Sequence, residues 1–345
     1  MADLVAPALR LDILTGFADA LADPCLLLDR RSVVLHVNAA AAREFPAVAA
    51  GNLLTLALRN PALLSAIDAA HRTGEARTIE LHQTVPNESW HRAQIAPLAG
   101  SGGLVAITLQ SLTEHKRLEQ LRSDFIANAS HELRTPLTSL VGFIDTLLGP
   151  AAKDEAVRER FLGIMRQQAG RMSALIDDLL SLSRIEMRQH LRPTGSVDLA
   201  QLLKEVRDGL ETQATEAGVS IELAADGPAI VAGDQNELYE VFENLLDNAI
   251  KYGGDGGQVE LAIGPGRAGY DYMVSFTDHG AGIAAEHVPR LTERFYRVDA
   301  ESSRKKKGTG LGLAIVKHIV NRHRGLLSIR SKPGEGTRVD VLLNR

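Results

Sequence analysis

The sequence is short of several things, and each shortage removes a class of protein. It holds one cysteine, Cys25, so no disulfide can form within the chain; that usage fits a reducing cytoplasm. Cys25 sits in the apolar run 25–28 and reads as a small core residue. Aromatic residues are few, at 4 %. There is no excess of basic residues: the formal net charge is −5, where a general nucleic-acid binder would be strongly positive, so no direct nucleic-acid contact is expected. No apolar run approaches the roughly 18 residues that span a bilayer. Residues 1–5 lack the basic stretch and apolar core of a secretory leader, so the chain is expected to be cytoplasmic as it stands; an association with a membrane complex is left open. Repeats of solenoid length and low-complexity tracts are absent too.

What is present is room for two or three domains in 345 residues. After a short N-terminal segment (1–12), residues 13–112 read as a small mixed domain. Two short apolar runs, 25–28 and 32–37, flank Asp29-Arg30-Arg31 and predict a hairpin. Residues 38–44 are alanine-rich and helical in propensity, and 53–70 are helical with a break at Asn60-Pro61. Three strands follow at 77–83, 90–98 and 104–110. His36 alternates with apolar neighbours and reads as a strand residue, since one histidine is not a metal site. The order of these elements, with the stretch from Leu28-Asp29-Arg30 to Asn38-Ala39-Ala40, resembles a PAS sensory domain.

From 113 to about 190 the period changes to that of two long amphipathic helices. In the first, Leu118, Leu121, Phe125, Ala129, Leu133, Leu137, Leu140, Ile144 and Leu147 recur at three-four spacing, and Gly149-Pro150 ends the run. The second repeats the stripe from Phe161 to Leu182. Two such helices form an antiparallel hairpin with an open seam, which a second copy would close into a four-helix bundle. At about 100° per residue, His131 falls roughly 160° from Leu133, so it points away from the seam. Pro136 follows within about a turn and a half, where an exposed helix interior loses roughly 3 kcal/mol. An outward histidine beside a disruptive proline suggests a site rather than a packing solution.

Ser130-His131-Glu132-Leu133-Arg134-Thr135-Pro136-Leu137 resembles, at every position, the phosphoacceptor motif of the sensor histidine kinases of two-component systems. The resemblance implies that His131 takes the γ-phosphoryl group of ATP and passes it to an aspartate of a response regulator. It implies further that Glu132 holds and deprotonates the other ring nitrogen, and that Thr135, one turn on, positions water for dephosphorylating the regulator.

The last domain, 193–345, alternates helices (199–217, 236–252, 311–323) with strands (219–224, 258–263, 271–278, 326–329, 338–343), a two-layer pattern. Asn244, Asn248, Lys251 and Tyr252 share one helical face by spacing; amide oxygens suit Mg²⁺ and a lysine suits phosphate. Asp278-His279-Gly280-Ala281-Gly282 follows a strand, its glycines permitting close approach to a ligand. Gly308-Thr309-Gly310-Leu311-Gly312-Leu313 opens a helix, whose free N–H groups favour phosphate. Gly334-Glu335-Gly336-Thr337 reads as a tight turn. In this order the four segments resemble the N, G1, G2 and G3 boxes of the histidine-kinase ATP-binding domain, a Bergerat-type α/β sandwich. That resemblance assigns Asn248 to Mg²⁺, Asp278 to the adenine amine, and Gly308, Gly310, Leu311 and Gly312 to the phosphate loop. It also has Asn244 and Lys251 contacting phosphates and Tyr252 flanking the nucleotide.

Residues 293–299, Glu-Arg-Phe-Tyr-Arg-Val-Asp, resemble the F-box, with Arg297 helping to hold the γ-phosphate and the basic run 302–307 lying in a lid. Thr292 replaces the phenylalanine common there, but residues 289–299 and the hairpin around His131 resemble the phosphate-regulon sensor kinases of the PhoR type. The expectation is therefore a multidomain α+β protein: a homodimeric, Mg-ATP-dependent histidine kinase with a PhoB-like regulator as partner and phosphatase activity toward it. Two alternatives stand beside it. A hydrolytic ATPase of the same fold would carry a water-activating glutamate where this chain has Asn244. A scaffold that binds ATP without catalysis would show eroded motifs.

Overall fold

The computed structural model describes residues 7–84, 88–149, 154–188, 191–225, 227–253, 256–298 and 308–345. The chain forms two compact units, Met1–Asp124 and Phe125–Arg345. No helix among the described residues is long and apolar enough to cross a membrane.

The first unit opens with α1 (Pro7–Asp19), a helix that its sequence does not announce. The hairpin β1 (Cys25–Leu28) and β2 (Val34–Val37) forms as expected. Helices α2 (Ala39–Glu44), α3 (Leu54–Ala57) and α4 (Pro61–Thr73) follow, then β3 (Arg77–Gln83), β4 (Ser89–Pro97) and β5 (Val105–Ser111). The five strands make one antiparallel sheet in the order β2-β1-β5-β4-β3. The break at Asn60-Pro61 is a helix start: Asn60 Oδ1 accepts from the N–H groups of Ala62 and Leu63, and Pro61 supplies a preset φ.

Asn38 is the polar centre of this unit. It is 1 % exposed. Its Oδ1 accepts from the N–H groups of Cys25 and Ala41, and its Nδ2 donates to the carbonyls of Ala18, Leu21 and Asp23. One amide thus ties the end of α1 to β1 and caps α2, satisfying groups that burial would otherwise leave orphaned. Cys25 is buried, and His36 Nε2 lies 2.8 Å from Asp19 Oδ1.

The second unit contains most of α5 (Thr113–Leu148), then α6 (Glu155–Met187), β6 (Ser196–Asp198), α7 (Leu199–Ala217), β7 (Ser220–Ala224), β8 (Ile230–Ala232) and α8 (Gln235–Gly253). After these come β9 (Gln258–Pro265), β10 (Tyr272–Asp278), α9 (Gly312–Arg322), β11 (Leu326–Lys332) and β12 (Gly336–Leu343). Five strands form a sheet in the order β11-β12-β10-β9-β7, antiparallel except for β7 against β9. Leu203, Val206, Leu238, Phe242, Ile315 and Ile319 pack from the helices onto Val259, Val274, Phe276 and Val341 of the sheet. This is an α/β sandwich, as the pattern predicts. The small β6–β8 pair escaped the pattern because three residues give no period.

The opposite face of the sheet is held differently. Asp340, fully buried on β12, receives Arg267 at 2.8 Å, Arg330 at 2.6 Å and Arg338 at 2.8 Å.

The hairpin stripe is shared between two tasks, which the sequence pattern did not separate. Leu118, Leu121, Leu137 and Ile144 are exposed, as an open seam requires. Phe125 and Leu133 instead pack against the core of the sandwich, as do Leu175, Leu179 and Leu182 of α6. A helix has more than one apolar-compatible face, and spacing alone does not say which neighbour takes it. Phe143 meets Phe161 across the hairpin at 5.0 Å.

Candidate functional site: acceptor helix and nucleotide cradle

His131 lies exposed on α5. Pro136 remains inside the helix; it removes the bond that the carbonyl of Glu132 would accept. The Thr135 hydroxyl donates to the His131 carbonyl at 3.2 Å, so Thr135 sits one turn along the same face. Glu132 does not bond the His131 ring. Its Oε2 lies 3.8 Å from Arg297 Nη1 instead, because neighbouring helical residues diverge by about 100°. A pocket of about 350 Å³ opens beside these residues, with Asn128 and His131 on the helix and Arg290, Arg294 and Tyr296 opposite.

The nucleotide segments assemble around α8, the end of β10 and the start of α9. Asp278 is 8 % exposed. Its Oδ1 accepts from the N–H groups of Gly280 at 3.0 Å and Thr337 at 3.2 Å, while Oδ2 takes no hydrogen bond among the described residues. Burial pushes its pKa above that of a free aspartate, opposed by those two N–H donors and by His279. A Cβ on Gly280 would stand 2.5 Å from the Tyr252 carbonyl oxygen, so only glycine lets this turn close on α8. Gly282, at φ +67°, continues the turn.

Gly308, Gly310 and Gly312 back onto Tyr252, Phe295 and Asn244 respectively. A Cβ at Gly312 would lie 2.5 Å from Asn244 Oδ1, so the start of α9 sits directly on α8. Leu311, fully buried, anchors it. The Phe295 N–H donates to the Gly310 carbonyl at 2.8 Å, and Arg297 donates to the Gly308 carbonyl. The F-box is therefore stitched to the glycine loop.

Asn248, one turn from Asn244 and half-buried, makes no side-chain hydrogen bond among the described residues. Lys251 does not stand free toward the cradle. It pairs with Asp247, which Gln213 also holds at 2.6 Å. The turn at 334–337 joins β11 to β12 as expected, with Gly336 at φ +88°. Asp299 and the basic run 302–307 lie outside the described residues.

Two residues of this region were missed from the sequence. Thr309 of the glycine loop donates to Asp178 Oδ2 on α6 at 2.7 Å. Burial raises the Asp178 pKa most, against the lowering effect of that hydrogen bond; nearby Asp177 and Asp247 raise it further and Lys251 lowers it. A signal was available: Asp178 is a charged residue within the apolar stripe, three after Leu175 and four before Leu182.

Residues 233–345 match the family of histidine kinase-, DNA gyrase B- and HSP90-like ATPases, and residues 121–188 match the His Kinase A phospho-acceptor domain. Between them the two cover more than half of the chain, with His131 in the phospho-acceptor match and the cradle in the ATPase match. This chain belongs to the sensor histidine kinases. Within that family it is PhoR-like: it is 42 % identical over 231 residues to the phosphate regulon sensor protein PhoR of Pseudomonas aeruginosa, a match covering 66 % of this chain and 51 % of that protein. It is 36 % identical over 231 residues to the sensor-like histidine kinase SenX3 of Mycolicibacterium smegmatis, covering 67 % and 59 %. The solved structure of the Acinetobacter baumannii histidine kinase AdeS is similar over 62 % of this kinase and 97 % of that chain, at 26 % identity and a TM-score of 0.48. The kinase spans about half the length of the curated relatives it matches.

Proposed function

We propose that this chain is an ATP-dependent protein-histidine kinase that autophosphorylates His131 and passes the phosphoryl group to an aspartate of a PhoB-like response regulator. The observation that carries this reading is one connected set of contacts: the glycine loop holds Arg297 through the Gly308 carbonyl, and Arg297 faces Glu132 beside His131.

The roles follow from the chemistry of each group. Asp278 Oδ2 accepts from the exocyclic amine of adenine. The N–H groups at the start of α9 and the glycine loop take phosphate oxygens. The donor set fits a magnesium ion: Asn248 offers a hard amide oxygen with no competing hydrogen bond, beside a loop that glycine keeps open, and Mg²⁺ is typically shared between one or two protein oxygens and substrate phosphates. If bound there, the ion would supply charge neutralisation for the phosphates. Asn244 stands on the Gly312 backbone, and Tyr252 walls the cradle at Gly308. Lys251 can turn from Asp247 to a phosphate, a choice open to a long flexible ammonium.

In the transfer, a lone pair on one imidazole nitrogen of His131 forms the N–P bond. The bond between the γ-phosphorus and the β–γ bridging oxygen breaks, and ADP leaves with that electron pair. The proton on the other ring nitrogen goes to Glu132, once Glu132 turns from Arg297.

The exposed stripe Leu118, Leu121, Leu137 and Ile144 supports a homodimer closed through the hairpins. We assign 13–112 to a PAS-like sensory domain on its strand order, 113–190 to dimerisation and phosphotransfer, and 193–345 to catalysis. Thr135 is assigned to water positioning in a phosphatase reaction on the regulator.

Incubation with γ-labelled ATP tests the reading. Stable, acid-labile label on the protein is the expected outcome, lost in His131→Gln with ATP binding retained. Rapid release of inorganic phosphate without labelled protein would instead make the chain a hydrolytic ATPase, and neither product would make it a scaffold.

A further inference from the structure

We infer that His323 is a positioning residue for nucleotide binding: its neutral imidazole sets the register of α9 along α8, and protonating it loosens the cradle. The inference rests on the nucleotide reading above and adds a residue to which that reading gives no part.

His323 closes the C-terminal end of α9 and is 3 % exposed. Both ring nitrogens meet backbone groups whose roles cannot reverse. The Asp234 N–H donates to Nε2 at 3.0 Å, so Nε2 carries a lone pair. The Ile319 carbonyl lies 2.8 Å from Nδ1 and can only accept, so Nδ1 holds the proton. The imidazole is therefore neutral and in one tautomer. A proton added at Nε2 would set N–H against N–H and leave the Asp234 donor without an acceptor.

Asp234 starts α8. Its Oδ1 accepts from the N–H groups of Asn236 at 3.0 Å and Glu237 at 3.2 Å, as a helix N-cap does. The approach is close: a Cβ on Gly233 would stand 2.7 Å from Leu238 Cδ1 and 3.1 Å from His323 Cδ2. The two helices are thus fastened at both ends of their contact. Gly312, at the start of α9, sits on Asn244; His323, at its end, holds Asp234. Asp234 to Asn244 and Gly312 to His323 span about 15 and 16 Å of helix, at a rise of about 1.5 Å per residue. Because the spans match, the far fastening fixes where the glycine loop stands against Asn244 and Asn248.

The charged groups around the ring are Glu237, whose Oε2 lies 3.9 Å from Nδ1, Asp234, and Arg322, which pairs with Glu237. Burial pushes the His323 pKa below that of a free imidazole. The Ile319 carbonyl, Glu237 and Asp234 oppose that shift, and Arg322 adds to it. With the folded value below the unfolded one, the neutral ring's stabilisation is complete above the unfolded pKa and is lost as pH falls through the folded one.

The test is ATP affinity by calorimetry, from neutral pH into the acid range, on the full chain and two variants. His323→Gln keeps an acceptor oxygen but cannot titrate. His323→Leu keeps the bulk and removes the acceptor. Wild-type affinity is expected to fall on acidification. His323→Gln should bind within about twofold of wild type at neutral pH and lose less affinity in acid. His323→Leu should bind about three- to tenfold more weakly at neutral pH, as the loss of one buried hydrogen bond implies. Asp278 contributes equally to wild type and the glutamine variant, so their difference isolates His323. An acid limb identical in those two proteins overturns the inference, and so does wild-type affinity in a folded leucine variant. If the leucine variant does not fold, the glutamine comparison decides alone. A wild-type chain that binds no ATP at any pH fails the nucleotide reading instead.

Discussion

A single carboxylate, Asp278, carries two opposite dependences on pH. Burial raises its pKa in the folded chain. With the folded value above the unfolded one, the group favours folding most at acid pH, below the unfolded pKa, and that contribution is lost as pH rises through the raised folded pKa. Its proposed adenine contact runs the other way, because the carboxylate accepts best when ionised. ATP affinity is therefore expected to fall as pH drops through the raised pKa, while Asp278→Asn flattens that part of the profile. In Asp278→Asn one amide oxygen can still serve Gly280 and Thr337, but Nδ2 then meets the adenine amine donor to donor. Loss of a charged hydrogen bond of about 1.5–3 kcal/mol predicts roughly ten- to hundredfold weaker ATP binding by calorimetry. An unchanged affinity would detach Asp278 from adenine. The motif made Asp278 legible in the sequence. Its two backbone donors were not, because Thr337 is brought to it by strand pairing across 59 residues.

At the scale of elements, α5 shows how far periodicity reads. The three-four stripe from Leu118 to Leu147 lies wholly within the helix, Gly149 follows its last residue Leu148, and the proline inside it flagged the site. The same spacing could not divide the stripe between a second hairpin and the sandwich, since both partners ask for the same kind of side chain. The exposed members bear on assembly. Ile144→Glu would place an unpaired carboxylate in each half of the closed seam, a burial that charge does not tolerate without a partner. The expected result is a monomer in sedimentation, with ATP affinity unchanged because the cradle is built from α8, β10 and α9. A persistent dimer would move the interface elsewhere on the molecule.

For the whole molecule, the architecture was legible where elements are long or motifs dense. It was missed where a helix carries no apolar stripe, as in α1, where strands are short, as in the β6–β8 pair, and where a contact is tertiary, as between Asp178 and Thr309. On the proposed reading, output is a property of the whole chain acting on a regulator. Thr135→Ala is expected to leave autophosphorylation near wild type and slow decay of a phosphorylated PhoB-like regulator, followed as loss of label from the purified regulator. Equal decay with both proteins would reduce Thr135 to a helix residue whose hydroxyl serves the His131 carbonyl. The open face of the sheet has a consequence of another kind. There Asp340 is shared by Arg267, Arg330 and Arg338, and strand pairing carries the row on through Thr277 to Glu260 and Glu222 at the far edge. The face is thus positive along β11 and β12 and negative along β9 and β7. A second copy laid on it in the same order would set like charges opposite each other, with repulsion that dilute salt only partly screens. The polarity works like a magnet's: it refuses one alignment and admits only the reversed one.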